Sequence, residues 1–116
     1  MRRHTLTTAA RSDIVAALKR SVEGFGVPGR RRYEALILAA IRDVAADPAR
    51  PGSRDRPDLG PGVRAYHLAH SRERARSAEG VVRNPRHVLF YHCPDERTVE
   101  ILRVLHDAMD PDRHLA

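Results

Sequence analysis

At 116 residues, with 41% hydrophobic and 31% charged side chains, the chain suits one packed domain and is too short for two substantial cores. The formal net charge is +6, and of 21 basic residues only Lys19 is a lysine, so the partners expected are those that guanidinium groups grip, nucleic acid or an acidic protein. Aromatic content of 4% without tryptophan argues against a base-stacking platform, no apolar run reaches the roughly 18 residues of a membrane helix, and a single cysteine forbids an internal disulfide.

Residues 3–7, RHTLT, read as a short leading strand, after which Thr7 or Thr8 can cap a helix by accepting a bond from an orphan backbone N–H. From Ala9 to about Phe25, the residues Ile14, Leu18, Val22 and Phe25 recur at spacings of four, four and three and share one helical stripe. Gly24, Gly26 and the Pro28-Gly29 pair are expected to stop that helix and turn the chain. In a second helix Tyr33, Leu36, Ile37, Ala40, Ile41 and Val44 repeat at i, i+3, i+4, and Asp47-Pro48 ends it. Two helices joined by a tight turn are expected to pack antiparallel.

Residues 48–62, PARPGSRDRPDLGPG, concentrate proline, glycine and charge and read as a loop. Three strands follow. In VRAYHLAH (63–70), Arg64, Tyr66, Leu68 and His70 share one face and Val63, Ala65, His67 and Ala69 the other. RHVLFYH (86–92) is nearly all apolar, as a central strand is, and TVEILRVLH (98–106) pairs with it through the turn CPDER. Between the first two, SRERARSAEGVVRN (71–84) exceeds a tight hairpin and reads as a projecting loop or extended hairpin tip. The predicted order is β-α-α-β-β-β, an α+β fold whose antiparallel sheet carries an N-terminal αα-hairpin on one face, as a single domain over residues 1–116.

The chain closes on VEILRVLHDAMDPDRHLA, where an apolar strand runs into Arg103, His106, Asp107, Asp110, Arg113 and His114. This reads as a catalytic tail, a docking edge or solvated chain. Arg64, Arg86 and Arg103 stand on predicted neighbouring strands, where they form a cationic patch or pair with carboxylates such as Asp58, Glu100 or Asp107. His67 and His70 point to opposite faces of a strand and cannot chelate together, and without a CxxC pair no metal site is expected. Cys93 reads as a buried spacer, and the triplet Arg30-Arg31-Arg32 at a helix start, where the dipole disfavours cations, reads as solvated charge by default or as a contact for an acidic partner.

The segments DLGPGVRAYHL, PRHVLFYH and VEILRVLHDAMDPDRHL, with SDI, FG and RYEALILAAIRDVAADP in the helical part, resemble the ParE branch of the RelE/ParE toxin family. The resemblance covers nearly the whole chain, apart from a longer 71–84 loop. It implies a toxin of a type II toxin–antitoxin system, a ParD-like antitoxin as partner, DNA gyrase as target and a role in plasmid stabilisation. It also implies no cofactor and DNA contact mainly through the antitoxin, and the single Cys93, which fits a reducing compartment, gives a cytoplasmic location as the expectation. Ile14, Leu18, Tyr33, Ile37, Arg64, Tyr66, Arg86, Tyr91 and Arg103 are the partner-binding residues expected on this reading, which assigns no catalytic residue. The RelE branch, a group of ribosome-dependent mRNA endonucleases, gives the alternative: Arg64, Arg86 and Arg103 would hold phosphate, and His87, His106 or His114 would exchange protons. The tail lacks that branch's tyrosine, and no lysine cluster precedes the first long strand. A non-toxic member that only binds its antitoxin is a third reading.

Overall fold

The computed structural model describes residues 1–115. Its elements in chain order are β1 (Arg3–Leu6), α1 (Thr8–Ala46), β2 (Ser53–Asp55), β3 (Arg64–His67), β4 (His87–Asp95), β5 (Thr98–His106) and α2 (Asp112–Leu115). Short 3-10 turns cover Pro57–Leu59 and Leu68–Ser71. The strands form one sheet in the order β1-β5-β4-β3-β2, antiparallel except where β1 runs parallel to β5. The fold is α+β, as expected.

The two expected helices appear as one helical segment interrupted only at Gly26, whose φ of 71° and ψ of −170° lie outside the helical region. A straight helix of 39 residues would be about 58 Å long. The longest dimension of the molecule is 38 Å, so the two arms cannot be collinear. Pro28 then falls in the first turn of the second arm, where its missing N–H costs nothing. Thr7 is the N-cap, accepting from the Ala10 N–H at 3.0 Å.

The stripe read from the sequence packs as expected at Leu18, Tyr33, Leu36, Ile37, Ala40, Ile41 and Val44, which meet Tyr66, Leu89, Tyr91, Val99, Ile101 and Val104 of the sheet in one core. Val22 and Phe25 are not part of it, and both are exposed. A register shift between Phe90 and Tyr91 lets Ile101 and Val104, three residues apart, face the same core. Phe90 and Leu105 are buried outside that cluster, and α2 returns against β5, where Arg103 Nη1 donates to the His114 carbonyl at 3.0 Å. The charged tail is therefore partly a cover for the sheet.

Three expectations need correction. Residues 48–62 are not all loop, because Ser53–Asp55 adds an edge strand to β3, held where the Ser53 and Tyr91 hydroxyls meet at 2.6 Å. The strand expected over 63–70 ends at His67, so facing rules do not reach His70, whose ring lies beside Tyr66 at 5.4 Å between centroids. The 71–84 loop does not project. Arg74 Nε reaches the Asp43 carboxylate at 2.9 Å, Glu79 engages Arg31 and Arg32, and Ala75 and Val82 pack against the core. The acidic group that answers the arginine triplet thus belongs to the chain itself.

Candidate functional site

At the end of the sheet nearest the 71–84 loop, β4 begins and β5 ends, and their pairing sets His87 opposite His106 with ring centroids 5.6 Å apart. Both lie on the helix side of the sheet, in step with Leu89 and Val104. Tyr33, buried in the second arm of α1, brings its hydroxyl to 2.5 Å from His87 Nδ1 and accepts the Arg86 backbone N–H at 3.2 Å. With that N–H filling the acceptor side, the phenol donates to Nδ1, and the proton of the neutral His87 ring sits on Nε2. Burial raises the Tyr33 pKa above its ordinary value, keeping it a donor. His106 Nδ1 accepts from the Ala108 N–H at 3.1 Å, which likewise puts its ring proton on Nε2.

Asp107 ties the rim together. It takes Arg86 Nε at 3.0 Å and His67 Nε2 at 3.1 Å, and these two bonds, Arg86 first, hold its carboxyl below the usual range. Beside the histidines a groove of roughly 740 Å³ opens between α1 and the 71–84 loop. Phe25, Val81 and Val82 give it an apolar wall, and Arg20, Arg32, Arg76, Arg83 and Arg86 surround it.

Of the six residues named for a nuclease, the structure gathers Arg86, His87 and His106 and leaves three elsewhere, His114 among them in α2, where its carbonyl accepts from Arg103. Arg64 sits opposite Tyr91, about 13 Å along β4 from His87, where it pairs with Asp55 and donates to Ser53 Oγ at 2.8 Å. Arg103 turns to the first arm of α1, donating from Nε and Nη2 to the Asp13 carboxylate, both at 2.8 Å. The three arginines thus make no single patch. Each has a carboxylate, but only Asp107 is among those named from the sequence, since Asp58 binds Arg56 and Glu100 binds His92.

Among the residues expected to meet a partner, Leu18, Tyr33, Ile37, Tyr66 and Tyr91 are buried in this chain's own core and Ile14 packs partly against it. Tyr91 donates to the Pro48 carbonyl at 2.6 Å, and Tyr66 meets Ser71 Oγ at 2.8 Å. The free apolar surface lies instead at Val15, Phe25 and Val27, which are 67%, 75% and 54% exposed. Cys93 is half-buried against the core.

Burial, reinforced by His106 and Arg20, lowers the His87 pKa from 6.5 to about 4. The unfolded chain therefore takes up this proton near pH 6.5 and the folded chain only near 4. Stability from this group is complete above pH 6.5 and is lost as pH falls toward 4, by on the order of 2 kcal/mol after allowance for solvent at the ring. Asp107, with its depressed carboxyl, adds loss only below that window. Urea unfolding at pH 7.5 and pH 4.5 should show this loss in the unaltered chain and little of it in His87→Gln. Equal losses in both would remove His87 as the cause.

The family model described as "ParE toxin of type II toxin-antitoxin system, parDE" matches residues 5–111. Toxin ParE1 of Mycobacterium tuberculosis, from strain CDC 1551 / Oshkosh, is 27% identical over 113 residues, 97% of this chain and 97% of that protein. Toxin ParE1 of strain ATCC 25618 / H37Rv matches with the same identity and coverage.

Proposed function

Because the chain belongs to the ParE toxin family of type II toxin–antitoxin systems, we propose that it acts as a toxin by binding DNA gyrase and is neutralised by a ParD-like antitoxin. The match over residues 5–111 carries this reading, since it takes in both arms of α1, strands β2 to β5 and the histidine groove. Two features of the molecule support binding over cleavage. Arg64 and Arg103, two of the three cations that the nuclease reading names, are held away from the histidines by Asp55 and Asp13. The exposed Val15, Phe25 and Val27 offer apolar area next to arginines, the composition that a docking face combines.

In this mechanism an amphipathic helix of the antitoxin lies along α1 and an extended stretch follows the sheet. Carboxylates on that segment speed and orient the encounter, and apolar contact supplies most of the affinity. Arg86, at the rim, remains a partner contact on this reading.

The convergence of Arg86, His87 and His106 favours one second reading, mRNA cleavage on the ribosome. A gyrase supercoiling assay separates the two. The purified chain should inhibit supercoiling of plasmid DNA or trap linear cleaved DNA, and the antitoxin should reverse the effect. An inactive chain at excess over gyrase, together with cleavage of mRNA on ribosomes that His106→Ala abolishes, would replace the gyrase reading with the nuclease one.

A further inference from the structure

The groove beside His87 and His106 carries more positive charge than its own chain neutralises. Asp107 answers Arg86, and Glu73 answers Arg76. Arg20 and Arg83 line the same groove and make no side-chain ion pair or hydrogen bond among the described residues, and Arg32 donates only to the Glu79 carbonyl, at 3.2 Å. Arg20 is close enough for its charge to act on His87. Glu79 also lines the groove, but its carboxylate pairs with Arg31 at 3.4 Å, so three guanidinium groups without a carboxylate of their own surround the pair of imidazoles.

The imidazoles add directed donors. Each has its Nδ1 engaged, by Tyr33 or by the Ala108 N–H, so each keeps Nε2–H as its remaining ring donor. Donors and guanidinium forks arranged in this way fit an oxyanion. A single carboxylate carries one negative charge and would leave two of the three guanidinium groups unanswered, whereas a phosphoryl group brings up to two charges and three acceptor oxygens. The volume, roughly 740 Å³, is far more than a bare phosphate fills, and the wall formed by Phe25, Val81 and Val82 is apolar. The remainder of the ligand is therefore flat or apolar enough to lie against that wall.

We propose that this groove binds a nucleoside monophosphate, either a free nucleotide or the phosphorylated end of a single strand, with the phosphoryl group held by Arg20, Arg83 and the two histidines and the nucleoside laid against Phe25. This goes beyond toxin–antitoxin pairing and does not depend on gyrase being the target.

The test is a titration of the purified full chain, followed by calorimetry and by NMR of the imidazole resonances. The probes are adenosine 5′-monophosphate, adenosine, inorganic phosphate, a short 5′-phosphorylated single-stranded RNA and an oligoglutamate peptide. Adenosine monophosphate or the RNA should saturate the site and shift His87 and His106, and whichever binds more tightly identifies the source of the phosphate. The double substitution Arg20→Ala with Arg83→Ala, at two exposed positions outside the core, should weaken that binding by about tenfold or more while leaving the far-ultraviolet spectrum unchanged. Adenosine alone and phosphate alone should each bind more weakly than the nucleotide. Absence of binding by both nucleotide and RNA at about 10 mM, indifference to the arginine substitutions, phosphate binding as tightly as the nucleotide, or saturation by oligoglutamate alone would each overturn the proposal.

Discussion

Replacing Asp43 by alanine should lower the stability of the chain by about 3–4 kcal/mol, a large share of what a domain of this size possesses. Asp43 is 4% exposed, in the second arm of α1, and its carboxylate is the hub of a buried network. Ser71 Oγ donates to it at 2.6 Å, Arg74 Nε lies at 2.9 Å and Arg50 Nη1 at 3.3 Å. Since the one hydroxyl proton of Ser71 goes to Asp43, Tyr66 must donate to Ser71. The Arg50 guanidinium in turn sits over the Tyr66 ring, 5.7 Å from its centroid. Alanine would leave Ser71, fully buried, without its acceptor and Arg50 without its counter-charge, and stranding a buried partner costs more than the pair itself contributes. Arg74→Ala makes the comparison, because that side chain is 68% exposed and its loss should cost less than about 1 kcal/mol. Urea unfolding measures both. The network also fastens the start of the 71–84 loop, so trypsin should cut at Arg72, Arg74 or Arg76 of Asp43→Ala under conditions in which the unaltered chain survives. A loss under about 1 kcal/mol with unchanged cleavage would show that the loop is held elsewhere.

The network also shows why the loop was misread from the sequence. Periodicity reveals which face of a helix is apolar, and here it identified Leu36, Ile37, Ala40, Ile41 and Val44 correctly. An aspartate one step from that stripe looks like ordinary solvated charge. Only its pairing with Ser71 and Arg74, far along the chain, makes it a fastener, and no local rule connects those positions. β2 escaped for a related reason: three residues, SRD, have no strand pattern of their own and are held by the Ser53–Tyr91 contact and by Arg64.

The histidine pair was within reach of sequence reasoning. Counting outward along the β4–β5 hairpin from Asp95 opposite Thr98 puts His87 opposite His106, because the two register shifts between them cancel. What the count does not supply is Tyr33, whose hydroxyl fixes the His87 ring from a helix 54 residues earlier. Periodicity placed Tyr33 in the core, and the ring is indeed buried there, but its polar tip serves the groove. Arg20 and Arg83 also went unnoticed, since among so many arginines nothing local marks the ones left without carboxylates.

Asp13→Ala is expected to cost about 2–3 kcal/mol, and its consequences reach the question of what Arg103 does. β1 ends at Leu6, so among the described residues β5 beyond Ile101 has no strand beside it on that edge. The first arm of α1 takes over: Thr7 Oγ1 donates to the Leu102 carbonyl at 2.7 Å, and Asp13 Oδ2 accepts the Val104 N–H at 2.9 Å. The same carboxylate binds Arg103 through Nε and Nη2, and this pairing raises the Arg103 pKa further above its already high value. Side-chain exposures of 14% for Asp13 and 21% for Arg103 leave solvent partial access, so the expected loss is smaller than for a pair in the deep core. Alanine at 13 removes the edge cap and the ion pair together, whereas Arg103→Ala keeps the cap, removes the pair and the bond to the His114 carbonyl, and should cost about 1–2 kcal/mol. Unfolding of both variants and the double variant would show a coupling of about 1 kcal/mol, and additive losses would mean that the pair contributes nothing. This changes how a toxicity assay on Arg103→Ala should be interpreted. Lost toxicity would implicate Arg103 in target binding only if Asp13→Ala, matched for stability, remains toxic. If both variants lose toxicity in step with their unfolding, Arg103 is a clamp on the edge of β5, and the residues that meet the target must be sought at the groove and along the exposed apolar face of α1.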